Sequence, residues 1–157
     1  MAECILHVLL HQRPIGTLTL LAGDQSIFAF DETYILDQSR PILSLSFKAP
    51  MADLITDIKP TRARVPPFFA NLLPEGPMRT YLAKRAGVKE SREFFLLRVL
   101  GRDLPGAVLI EETAGDALPA LGDDKPAGMR SQEAPLYFSL AGVQLKFSAV
   151  RDAAGEK

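Results

Sequence analysis

Over the first third of the chain, apolar residues come in short runs split by turn chemistry instead of recurring at helical spacing. "CILHVLLHQ", then "RPIG", then "TLTLL" reads as a hairpin, and "AGDQ" leads into a third run, "SIFAF". Short alternating runs bounded by Gly, Pro and Asp predict strands. A further strand is predicted in "PILSLSF", where Ile42, Ser44 and Ser46 alternate with Leu43, Leu45 and Phe47. Alternation of that kind puts the Leu/Phe side on the core.

From Val65 the pattern becomes helical. In "VPPFFANLLPEGP", Pro67 suits a first helical turn, Phe68, Phe69, Leu72 and Leu73 form an apolar patch, and Pro74 with Gly76 marks a break. A second helix is predicted from about Met78 to Ala86, with Met78, Tyr81 and Leu82 on one face and Gly87 as a left-handed cap. A third follows in "SREFFLLRVLGRD", with Ser91 as N-cap, Glu93 favouring the helix dipole and Gly101 past the last turn. Its apolar residues run nearly all round it, so it should be the most buried helix.

"DLPG" then turns the chain into a strand, "AVLIEE", expected to rejoin the first sheet. Residues 113–133 are small, acidic and rich in Pro and Gly, and read as a linker. Beyond it "LYFSL" and "LKFSAV" predict a hairpin turning at Ala141, Gly142, Val143 and Gln144. The fold class is therefore α+β: a small antiparallel or mixed sheet, or partial barrel, packed with about three helices. The expected organisation is a domain at 1–112, a linker at 113–133 and a hairpin segment at 134–157.

A chain of 157 residues with 47% hydrophobic and 24% charged content can sustain its own core. Cys4 is the sole cysteine, which excludes an internal disulfide and a cysteine-based zinc cluster and suits a reducing cytoplasm. "MAECILHVLLHQR" has Glu3 where a secretory signal needs basic residues, and no apolar run approaches a membrane span. The expected location is the cytoplasm, away from membranes.

Net charge is −1, yet residues 59–102 carry ten Lys/Arg against three Asp/Glu, while each flank is net acidic. Arg62, Arg64, Arg79, Lys84, Arg85 and Lys89 form the candidate surface within this block. Three readings stand side by side. Clustered cations release counterions from a nucleic-acid backbone; they steer an acidic protein partner; or they complement the acidic flanks of the same fold.

Other chemistry is thin. "GRDLPGAV" reads as a helix end and a turn at Pro105–Gly106, not as a catalytic loop for Arg102 and Asp103. His7 and His11 are four apart, a metal-pair spacing on a helix, but they fall in a strand-like segment with no third ligand in view. Asp123 and Asp124 belong to the linker, and Asp152 and Glu156 to a polar tail without apolar neighbours. A turn through Ala141 and Gly142, followed by Lys146, lets backbone amides and a cation converge on an anion. Without further context an ordinary hairpin turn with a surface lysine accounts for the same residues.

Three segments change that context. "FFANLLPEG" at 68–76, "GRDLPGAV" at 101–108 and "SLAGVQLKFS" at 139–148 resemble, in order and spacing, the N-terminal region of HipA-type serine/threonine kinases, the toxins of HipBA toxin–antitoxin systems. "GTLTL" and "PILSLSF" fit the same region. The resemblance implies an N-terminal α+β subdomain ahead of a kinase core, contacts with a HipB-like helix-turn-helix antitoxin, and possible DNA contact through that complex.

It also implies a phosphate loop at Ser139, Ala141, Gly142, Val143, Gln144 and Lys146, with Ser139 at the position that family members autophosphorylate. Phosphoryl transfer further needs magnesium ligands and a residue that orients the attacking hydroxyl. In a HipA kinase these follow the loop. The expectation is that this chain has no catalytic residues of its own, takes ATP and Mg only if completed by a kinase core, and is either part of a longer kinase or a free-standing HipS-like protein that restrains a HipT-like kinase.

Overall fold

The structure is a computed structural model that describes residues 4–51, 53–62 and 64–112. The expected linker and the hairpin carrying Ser139, Ala141, Gly142, Val143, Gln144 and Lys146 lie outside these residues.

Five strands form one antiparallel sheet: β1 (Cys4–Leu10), β2 (Arg13–Leu21), β3 (Gln25–Phe30), β4 (Thr61–Arg62) and β5 (Val108–Glu112). Their order is β4-β3-β2-β1-β5, so the chain's late strand returns to pair with its first. The expected α+β class is what the chain adopts. The first hairpin turns earlier than "RPIG": His11 and Gln12 form the loop with φ of 50° and 65°, and Leu10 pairs with Arg13. Two positive φ values give the twist that matches antiparallel strands. "RPIG" instead lies inside β2 and carries a bulge, because Val8 pairs with Gly16 while Leu9 pairs with Pro14, leaving Ile15 as the extra residue. Proline at a bulge removes no ladder bond that a regular strand would require.

The four α-helices among the described residues are short. They are α1 (Glu32–Leu36), α2 (Pro67–Ala70), α3 (Gly76–Ala86) and α4 (Glu93–Leu100). The first was missed by sequence reasoning, since "ETYIL" is too short for a helical period to register. Pro67 occupies the first turn of α2 as expected, and Gly87 ends α3 in the left-handed conformation with φ of 68°. Two details differ. Arg92, not Ser91, is the N-cap of α4, with no side-chain cap. Leu82 and Ala83 are the buried residues of α3, whereas Tyr81 is exposed.

"PILSLSF" is not a strand. Residues Leu45–Phe47 form a 3-10 turn, and the Ser44 side chain accepts a hydrogen bond from the Ser46 amide at 3.2 Å. Serine bonding its own backbone in this way competes with ladder formation. Phe47 still reaches the core, but Leu45 points to solvent.

One face of the sheet carries the core. Leu6, Val8, Leu18, Phe28 and Ile110 are buried there, with Phe69 of α2 and Leu96, Leu97 and Leu100 of α4. Aromatic edges organise one end: the Phe28 ring lies 4.7 Å from Phe30 and 4.8 Å from Phe69, and Phe30 stacks on Tyr34 at 5.3 Å. Such pairs add about 0.5–1.5 kcal/mol each beyond the burial itself. Gly16 and Gly101 sit at close approaches. A methyl on Gly16 would lie 2.3 Å from the Ala29 carbonyl oxygen, and one on Gly101 2.3 Å from that of Ile110.

Candidate functional site

The candidate cations occupy three places. Arg62 is exposed in β4, and Arg64 follows it on the way into α2. The Arg64 carbonyl accepts from Ser26 Oγ at 3.0 Å and Thr61 Oγ1 at 2.7 Å, which pins this segment to the edge of β3. Lys84 and Arg85 lie in the last turn of α3, where cations complement the helix dipole. Arg85 Nη1 is 3.5 Å from the Tyr81 hydroxyl. Lys89 is exposed between α3 and α4 and has a partner of its own.

Arg79 differs in kind. Its guanidinium donates to the Glu90 carbonyl at 2.7 and 3.1 Å and to Glu93 Oε1 at 3.2 Å. The other oxygen of Glu93 accepts from the Val65 backbone amide at 3.1 Å. Glu93 is 5% exposed, so this carboxylate is a buried junction between the loop before α2, the first turn of α3 and the start of α4. A buried carboxylate needs a cation and donors together, and Arg79 with Val65 supplies both. The sequence signal was limited to a glutamate in a first helical turn, which said nothing of partners 14 and 28 residues away.

Four cations of the basic block are neutralised within the fold. Arg79 pairs with Glu93, Arg92 with Asp24 at 3.2 Å, Arg98 with Glu112 at 2.9 Å and Arg102 with Glu111 at 3.7 Å. Three of those carboxylates come from the acidic flanks. Arg92 also lies 4.0 Å above the Phe95 ring and shares a narrow crevice with Arg64, Ser26 and Glu93. Among the described residues, Lys59, Arg62, Arg64, Lys84 and Arg85 enter no ion pair.

The "GRDLPGAV" segment is a helix end and turn. Gly101–Asp103 form a 3-10 turn, Gly106 has φ of 87°, and β5 begins at Val108. Gly101 keeps an ordinary helical φ; its role is to let α4 approach β5. His7 lies in β1 opposite Thr17 and Glu111, while His11 lies in the hairpin turn. Among the described residues no group of three His, Cys, Asp or Glu is placed to hold a metal, and no helix is long and apolar enough to cross a membrane.

Asp37 lies just beyond α1. Hydrogen bonds from Ser39 and from Arg13, the latter at 2.6 Å, lower its carboxyl from 3.8 to about 2. This ties the end of α1 to the start of β2 and brings no second titrating group with it.

Comparison with known proteins adds two findings. A family model described as the HipA N-terminal domain matches residues 6–111, which is nearly all of the described fold. A Sinorhizobium fredii protein named "Putative kinase Y4dM" is 56% identical over 148 residues, covering 94% of this chain but 36% of that protein. The chain thus spans about a third of the length of that relative. A stretch of that length must include Ser139 to Lys146.

Proposed function

The chain belongs to the HipA N-terminal domain family, and from that premise we propose that it is the N-terminal module of a HipA-like toxin–antitoxin serine/threonine kinase, cytoplasmic and not catalytic alone. The observation that carries this is the match to a kinase-named relative, which runs through the module and continues across the segment resembling a phosphate loop. In this reading Gly142 and its neighbouring amides approach the nucleotide phosphates, Lys146 adds a point charge, and Ser139 is the autophosphorylation position. Bound ATP and Mg would supply the transferable phosphoryl group and its charge neutralisation. The residues that orient the attacking hydroxyl belong to a kinase core.

The module's own part is binding. Arg62, Arg64, Lys84 and Arg85 offer a cationic surface to a HipB-like helix-turn-helix antitoxin, a HipT-like kinase, or DNA reached through the complex. Because residues 4–112 close a core around one sheet, the module also suits a free-standing HipS-like regulator acting on a kinase in trans. Co-expression tests the proposal: a HipB-like protein or HipT-like kinase co-purifies with this chain, and the chain with magnesium and ATP gains no phosphate. Autophosphorylation of Ser139 in the isolated chain contradicts it.

A further inference from the structure

Three charged side chains, Arg40, Lys48 and Asp53, line one cleft and enter no ion pair among the described residues. The cleft holds about 220 Å³ over an apolar floor of Leu43, Phe47 and Leu54. Arg40 is half-buried and anchored from one side: its Nη1 donates to the Ile35 and Asp37 carbonyls, each at 3.0 Å. Those acceptors are neutral and leave its charge uncompensated. Nε and Nη2 remain as the two-pronged edge that takes a carboxylate.

The cleft is formed by a fixed backbone. Phe47 is buried in the core, and the Ile55 amide donates to its carbonyl at 2.8 Å. The Ala49 amide donates to the Asp53 carbonyl at 2.7 Å and Lys48 bridges Leu54, so Lys48 and Asp53 stand on facing arms of one loop. Binding there needs little ordering of the chain.

Size and charge together select a ligand. At about 220 Å³ the cleft is smaller than the roughly 300–1,000 Å³ of sites for drug-sized molecules, which suits a body the size of one amino acid. A polyanion would be repelled by Asp53, and a plain hydrocarbon would cover Arg40 without giving it a partner. A molecule with a carboxylate, an ammonium and an apolar body answers all three charges and the floor. We propose that this cleft binds a free α-amino acid with an apolar side chain, its carboxylate on Arg40 and Lys48, its ammonium on Asp53 and its side chain on Leu43, Phe47 and Leu54. The site shares no residue with the cationic surface or the segment resembling a phosphate loop, and it does not depend on the kinase reading.

The test is a titration of the isotope-labelled 157-residue chain with L-phenylalanine, followed by amide chemical shifts. Saturable shifts at the cleft residues, with a dissociation constant at or below about 1 mM, are the expected result. Phenylacetate, which lacks the ammonium, and N-acetyl-L-phenylalanine, which resembles the carboxyl end of a peptide, should each bind at least about tenfold more weakly. Lys48→Met and Asp53→Asn change exposed side chains and should each weaken L-phenylalanine by about the same factor, with the amide spectrum away from the cleft unchanged. The proposal is overturned by the absence of saturable shifts, by shifts elsewhere, by an affinity that neither substitution alters, or by N-acetyl-L-phenylalanine binding as tightly as the free amino acid.

Discussion

The Glu93 carboxylate accepts a hydrogen bond from the Val65 backbone amide at 3.1 Å, across 28 residues of sequence. With Arg79 on its other oxygen, that carboxylate fixes where the chain enters the helical half. Glu93→Ala leaves the buried Val65 amide without its acceptor and the Arg79 guanidinium with only the Glu90 carbonyl, at an expected cost of about 3 kcal/mol. Glu93→Gln keeps an acceptor for Val65 and should cost about half as much. Urea unfolding of the two variants measures this; equal midpoints for Glu93→Ala and the parent would contradict the assignment.

The cations separate into two classes with opposite readouts. Arg79→Ala should lower stability, because Arg79 satisfies Glu93 and the Glu90 carbonyl. Replacing Arg62, Arg64, Lys84 and Arg85 by alanine should leave stability within about 0.5 kcal/mol per site. The same fourfold variant should weaken binding to a cognate partner and flatten its salt dependence. Calorimetric titration at graded salt, with unfolding measured in parallel, checks both halves.

Close backbone approach predicts a steric contrast among glycines. Gly16→Ala and Gly101→Ala place a methyl 2.3 Å from a carbonyl oxygen, and each should cost about 2–3 kcal/mol. Gly23→Ala meets no atom within 4 Å and carries only the strain of φ at +74°, about 1 kcal/mol. Thermal unfolding of the three variants should rank them in that order.

Acid should release the tie at the end of α1. The Asp37 carboxyl is lowered from 3.8 to about 2 by Ser39 and then Arg13. A depressed folded value means that the contribution to stability is complete above 3.8 and disappears as pH falls through about 2. Asp37→Asn should therefore be less stable than the parent at neutral pH, with the gap closing through that window. A gap that persists at the acid end contradicts the attribution.

Where local pattern and tertiary packing agree, the fold is legible from the residues. The alternation of Cys4, Leu6, Val8 and Leu10, the proline opening α2, the Gly87 cap and the return strand at "VLIEE" are all of this kind. Misreadings arise where a side chain bonds its own backbone or a distant one. Ser44 turns "PILSLSF" into a 3-10 turn, and the φ values of His11 and Gln12 move the first hairpin ahead of "RPIG". Arg79 looked like one surface cation among six, because its partners Glu90 and Glu93 are brought to it only by the packing of α3 on α4. The acidic flanks did foreshadow how part of the basic block is neutralised, through Asp24, Glu111 and Glu112.

If the chain is a binding module, its phosphoryl chemistry depends on groups supplied by a kinase core. The most direct measurement is intact mass spectrometry of the purified 157-residue chain after incubation with magnesium and ATP, alone and with a HipT-like kinase. The expected outcome is an unmodified mass for the chain alone and a stable complex when the kinase is present. A phosphoryl group on Ser139 of the isolated chain, formed without any added kinase, would contradict it.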